Sequence, residues 1–197
     1  HGTKDVNTFN FQNNSLIAAG KMAFERWYPT IVTMGRGDMV VMGGLMEEAQ
    51  PLVLAETPEV FSIASRSWRT LSGARSLEAY GAANWYYPRA WLAPNGQVFI
   101  LAHNGNMFYL DPSASGMVQR VGAEQAAGWS ADYFPSVMYQ PGKILSVRAN
   151  NVLTVDINSP TPTLRQTGSL NQMRILANAS VLANGQVALT GGSALWN

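Results

Sequence analysis

ERWYPTIVTMGRGDMVVMGG, residues 25–44, decides the fold. Two aromatics and a proline lead into an alternating apolar stretch, a polar turn at Gly37, a second apolar stretch at Met39 to Met42, and the pair Gly43-Gly44. Short apolar runs divided by a glycine turn predict two strands and a hairpin rather than a helix. The same order recurs as WLAPNGQVFILAHN, VMYQPGKILSVRAN and VLANGQVALTGG, with turn glycines at Gly96, Gly142 and Gly185. Asn95-Gly96 and Asn184-Gly185 suit a type I′ turn, in which both central residues take positive φ. Each segment is therefore predicted to be a β-hairpin.

A second motif follows each hairpin. PEVFSIASRSWRTL sets Phe61 and Trp68 across a polar turn, and NMFYLDPSASGMVQ repeats it with Tyr109, Asp111-Pro112 and Met117. NVLTVDINSPTPTL and the opening VNTFNFQNNSLI are weaker copies. Two hairpins per unit of roughly 45 residues match the blade of a β-propeller. The glycine pairs Gly43-Gly44 and Gly191-Gly192 resemble the mark of the kelch repeat. The expected fold class is thus all-β: a kelch-type β-propeller contributing about four of seven four-stranded blades. The chain is read as one partial propeller domain, residues 1–197, with repeats at about 1–20, 21–75, 76–122, 123–170 and 171–197. LMEEAQPLVLAETP, residues 45–58, reads as an insertion between strands. The first repeat reads as the second half of a blade and the last as a first half. The remaining blades of the same protein, or a complementing chain, are therefore expected as partners, because half a blade leaves open sheet edges.

Composition excludes several functions. Charged residues are 13% of the chain, about half the usual share, and the net charge is +1. No Lys/Arg cluster tracks phosphates, so nucleic acid is not an expected partner. No apolar run approaches the roughly 20 residues of a membrane span. With no cysteine, neither a disulfide nor a thiolate metal site forms within these residues. Low charge with abundant Asn and Thr favours a secreted, extracellular or periplasmic setting.

Arg26-Trp27-Tyr28-Pro29 ahead of the hairpin, YYPRAWLAPNGQVFILA (Tyr86 to Ala102), FYLDP, and LNQMRILANASVLANGQVALTGG (Leu170 to Gly192) carry a family resemblance. In this order the chain resembles the galactose oxidase and glyoxal oxidase family, copper radical oxidases built on seven-bladed kelch propellers. That resemblance implies copper as cofactor, with Tyr28 as a metal ligand and catalytic residue whose phenol, cross-linked to a cysteine, holds a radical. It implies oxidation of an alcohol, aldehyde or carbohydrate by O₂, giving H₂O₂. It also places the cysteine ahead of His1, and an axial tyrosine and two histidines beyond Asn197. The stacking tryptophan that some members carry after the glycine pair is unmatched, since Leu45 and Met46 stand there. Of the implied catalytic set, these residues hold Tyr28. The alternative is a non-catalytic kelch propeller serving as a binding scaffold, with Tyr28 packed between blades and its hydroxyl bonded to backbone.

Other residues read more plainly. His103 is expected as a hydrogen-bonded loop residue rather than a ligand, and Glu47 and Glu48 as a solvated loop. Arg148, Asn150 and Asn151 end a strand where they either line a polar pocket or cap it. Trp85, Tyr86, Tyr87 and Trp91 are read as inter-blade core before a sugar-stacking face. Asn13 and Asn178 match the glycosylation sequon, the second discounted at a strand start. No phosphate loop, Ser-His-Asp set or zinc-spaced histidine pair is present.

Overall fold

The computed structural model describes residues 2–123 and 135–194. His1 and the final Leu195, Trp196 and Asn197 lie outside them, as does part of the repeat expected from 123.

The chain is all-β apart from residues 72–84. Its strands are β1 (Thr3–Asn10), β2 (Ser15–Arg26), β3 (Thr30–Thr33), β4 (Met39–Met42), β5 (Leu45–Glu47), β6 (Val53–Leu54), β7 (Glu59–Ser62) and β8 (Ser67–Thr70). Then come β9 (Arg89–Leu92), β10 (Val98–Leu101), β11 (Asn106–Asp111), β12 (Met117–Ala123), β13 (Ser136–Gln140), β14 (Lys143–Arg148), β15 (Asn151–Asp156), β16 (Thr163–Ser169), β17 (Asn178–Val181) and β18 (Val187–Thr190). Three antiparallel sheets have four strands each, in the orders β3-β4-β7-β8, β9-β10-β11-β12 and β13-β14-β15-β16. Pairs β1-β2 and β17-β18 stand before and after them, and β5-β6 is a small hairpin within the expected insertion.

The hairpins form where the glycine turns stand, but the turn type differs from expectation. Gly96 and Gly185 take positive φ, whereas Asn95 and Asn184 do not. Gly96 N–H donates back to the Ala93 carbonyl and Ala93 N–H to the Gln97 carbonyl, and Leu182 to Gln186 repeats the pattern. This is the three-residue loop with glycine in the left-handed position, not type I′. The asparagines act through their side chains instead: Asn95 Oδ1 accepts from Gln97 N–H at 3.0 Å and Asn184 Oδ1 from Gln186 N–H at 3.1 Å.

Packing follows from strand alternation. On β10, Val98 and Ile100 join a core with Val40, Met42 and Val60, while Phe99 and Leu101 face Ile144 and Val155. The whole of β10 is therefore buried, one face against each neighbouring sheet. Each fully buried residue of this kind contributes about 1.5–3 kcal/mol. Phe61 lies directly across from Trp68, ring centroids 5.2 Å apart, as the spacing of the second motif predicts. Tyr109, by contrast, pairs with Gln119 and packs on Phe99, while Met117 stands opposite Asp111.

Sequence patterning missed residues 72–84. They hold a 3-10 turn, the short helix α1 (Leu77–Tyr80) capped by Ser76 Oγ, and a second 3-10 turn. This connection drops Tyr80 into the core with no exposed surface.

Candidate functional site

Residues 26–28 cross from β2 to β3, and their backbone is held on both sides. Trp27 bridges Leu45 through two reciprocal hydrogen bonds of 2.9 Å. The Tyr28 carbonyl accepts from Tyr87 N–H at 3.0 Å, and Thr30 Oγ1 donates to the Pro88 carbonyl at 2.7 Å. The Trp85–Pro88 loop lies on the glycine pair. Gly44 N–H donates to the Trp85 carbonyl, and a Cβ on Gly43 would meet Pro88 Cγ at 2.6 Å. With φ of +67° and +101°, both positions need glycine for conformation as well as space.

Five aromatics gather there. The Tyr28 ring stacks on Trp27 with centroids 4.3 Å apart and 23° between planes. It also meets Tyr86 and Tyr87, each at 4.9 Å, while Trp85 lies 6.4 Å from Trp27. A ring therefore does stack on Tyr28, but Trp27, its chain neighbour, supplies it. Trp91 stands apart on β9, packed on the core that holds Phe99 and Tyr109. Tyr28 is half-buried, and among the described residues its hydroxyl makes no hydrogen bond to the protein. The backbone bond expected of a purely packing tyrosine is absent there.

Beneath the cluster lies a polar knot that sequence reasoning did not find. The Arg26 guanidinium is fully buried, its Nη2 2.9 Å from Glu59 Oε2. Arg26 also donates to the carbonyls of Gly43 at 2.8 Å, Thr57 at 2.6 Å and Ala55 at 3.5 Å. Glu59 Oε1 accepts from Ala23 N–H at 2.6 Å, tying β7 to β2. Burial pulls the Arg26 pKa below its usual value, and Glu59 acts in the opposite sense. No local signal joins two residues 33 apart in sequence.

The remaining candidates disperse. His103 is buried, its backbone N–H donating to Asn84 Oδ1 at 2.7 Å and its carbonyl accepting from Arg148 Nη1 at 3.4 Å. Arg148 thus turns inward, whereas Asn151 begins β15 and accepts from Gln166 Nε2 at 3.2 Å. Glu47 and Glu48 are exposed. Asn13 lies in the exposed β1–β2 loop, and Asn178 begins β17 as its discounting assumed. Among the described residues no three His, Cys, Asp or Glu side chains gather as a metal would require. Copper(II) takes oxygen donors, and Tyr28 offers one, yet one phenol is no copper site. No described helix is long and apolar enough to cross a membrane.

Two solved structures share this architecture. A fungal alcohol oxidase of the AA5 family, solved in complex with copper, superposes with a TM-score of 0.83 at 19% identity, over 96% of this chain and 43% of its own. The structure of YjhT matches with a TM-score of 0.69 at 10% identity, over 97% of this chain and 72% of that one. The likeness is one of fold, and this chain spans less than half the length of the oxidase. No protein-family model matches the sequence, and no curated protein matches it.

Proposed function

We propose that these sheets are blades of a kelch propeller, about four of seven, forming the part of a secreted copper radical oxidase that supplies Tyr28. Three consecutive four-stranded meanders support the propeller reading, as do the paired glycines and the likeness to an oxidase of more than twice this length. The remaining blades, from the same protein or a complementing chain, would bring the other metal ligands. The reaction is oxidation of an alcohol, aldehyde or carbohydrate by O₂ to give H₂O₂. One observation carries the assignment of Tyr28: its hydroxyl has no protein hydrogen bond among the described residues while its ring is held on three sides by Trp27, Tyr86 and Tyr87. A phenol so placed is oriented, yet its oxygen is open to a ligand.

The test is H₂O₂ release by the copper-loaded protein that carries these residues, with primary alcohols and aldehydes as substrates. Tyr28→Phe is expected to abolish release while leaving the melting temperature close to wild type. Release that survives the substitution refutes the role.

The scaffold reading has one observation of its own. Tyr28 has φ of +61°, but Tyr87 and Leu176, each likewise two residues ahead of a strand, take +46° and +56°. That conformation belongs to the repeat and owes nothing to catalysis. Copper titration separates the readings, since a scaffold would show no tight stoichiometric site.

A further inference from the structure

Asn13-Asn14-Ser15 occupies the turn that joins β1 to β2. Asn10 pairs with Ser15 and closes a turn of residues 11–14, every one of them exposed. Within it, Asn13 Oδ1 accepts from Ser15 Oγ at 2.7 Å and from Ser15 N–H at 3.2 Å, while Asn10 Oδ1 accepts from Gln12 N–H at 3.0 Å. Asn13 Nδ2 donates to no described residue.

This exposure belongs to the turn and not to its place near the start of the chain. Ser62 pairs with Ser67 around a turn of the same length, residues 63–66, in the complete four-stranded sheet β3-β4-β7-β8. Asn14 and Arg66, each the last residue of its turn, have φ of +54° and +52°. Ser65 stands where Asn13 does, and its hydroxyl lies 2.7 Å from that of Ser67, which stands where Ser15 does. Residues 63–66 are exposed although β2 lies beside β8 and β9 beside β3. Residues 113–115 and 158–161, at the tips of β11-β12 and β15-β16, are exposed likewise. A hairpin tip at this place in the repeat thus faces solvent even when its sheet is complete.

We propose that Asn13 carries an N-linked glycan. Asn-x-Ser with a middle residue other than proline is the acceptor sequence, and it belongs on a surface loop of a secreted protein. The donor is a lipid-pyrophosphate-linked oligosaccharide of the secretory lumen. Asn13 Nδ2 bonds to C1 of its first sugar and the C1–O bond to pyrophosphate breaks. The lipid pyrophosphate leaves with that electron pair, one Nδ2 proton passes to base, and nothing is oxidised or reduced. Transfer leaves Oδ1 free to keep both bonds from Ser15, and the sugar replaces a hydrogen that the fold does not use. Asn178, in the other matching tripeptide, stands in the β17 ladder opposite Thr190 rather than in a turn. Glycan transfer rests on the secretory setting proposed above and is indifferent to the chemistry of Tyr28, which lies past the other end of β2.

The protein that carries these residues is expressed behind a cleavable signal peptide in a eukaryotic secretory host, so that entry into the lumen is supplied and is read from cleavage of that peptide. Secretion of the natural protein is measured separately, on its own culture fluid, so either can fail alone. Peptide N-glycosidase in heavy-oxygen water is expected to lower the apparent mass on a gel and to label position 13 in the peptide mass spectrum. Asn13→Gln and Ser15→Ala should each lose the glycan at this position, whereas Ser15→Thr and Asn178→Gln should keep it. Melting temperatures before and after trimming should agree, because the tip is solvated. An unmodified Asn13 in protein whose signal peptide has been cleaved, or a label that survives Ser15→Ala, would overturn the proposal. So would glycosylated protein that fails to fold where Asn13→Gln folds, because the tip would then be covered.

Discussion

Replacing Glu59 by Gln keeps the shape of the side chain and removes its charge, which isolates what the buried pair contributes. The Arg26 side chain is 0% exposed and that of Glu59 1%, so no water is at hand to replace the lost partner. Arginine stays protonated at any accessible pH. The variant therefore leaves a guanidinium cation buried against three carbonyls, those of Gly43, Ala55 and Thr57. Removing one partner of a buried ion pair costs about 3–5 kcal/mol. The amide oxygen can still accept from Ala23 N–H, so the lower half of that range is expected. With a urea m-value of about 2–3 kcal/mol/M for a chain of this size, the unfolding midpoint should fall by roughly 1–2 M. Arg26→Met should cost at least as much, because the same carbonyls and the Glu59 carboxylate lose their donor. The double variant should cost less than the sum of the singles by about 1–3 kcal/mol, as for groups in one network. The assay is urea unfolding of the purified chain, followed by tryptophan fluorescence. A midpoint shift below about 0.5 M for Glu59→Gln, or additive single effects, would refute the reasoning, since the knot would then be dispensable.

Four further outcomes are expected. Tyr80 Oη is buried without a hydrogen-bond partner, so Tyr80→Phe should leave stability unchanged or raise it by about 1 kcal/mol in thermal melts. Burial also holds the Tyr80 phenol above its ordinary pKa of 10.0, against a weaker pull from Arg26, and raises Tyr109 in the same direction. The folded chain then keeps protons that the unfolded chain releases, so stability is full below about pH 10 and falls as pH rises above it; Tyr80→Phe should flatten that fall. Gly43→Ala should cost about 2–4 kcal/mol and weaken the near-UV circular dichroism of the aromatic cluster, because Pro88 Cγ lies 2.6 Å from the added methyl at a φ of +67°. Trp68→Phe loses the 3.0 Å bond from Nε1 to the Ala19 carbonyl, so amide exchange in β2 should quicken by the equivalent of about 1 kcal/mol.

The strands were legible where short apolar runs stand between turn residues. Val98 to Leu101, Phe61 opposite Trp68 and the turn glycines all announce themselves locally, because a strand's neighbour is set by the turn that joins them. The small helix at Leu77–Tyr80 was not legible, since four residues hold too little periodicity to register. The turn type was misread because Asn-Gly also serves a longer loop, in which the asparagine bonds through its side chain. At the candidate site the sequence pointed to Tyr28 and to the aromatics after Asn84, but could not say that they meet. That meeting depends on the Trp85–Pro88 loop lying over Gly43-Gly44. The Arg26–Glu59 pair was invisible for a related reason: a long-range ion pair leaves no pattern along the chain.

The insertion between β4 and β7 is stapled at its feet. Carbonyls at Gly43, Ala55 and Thr57, one ahead of the excursion and two at its return, converge on a single guanidinium. The tip between them, including Glu47, Glu48 and Leu52, lies in solvent. Its length and sequence can therefore drift, or be rewritten by an engineer, without slackening the strands on either side. Residues 47–53 are a graft position already provided with its own anchor, set beside the Leu45 bridge that carries Trp27.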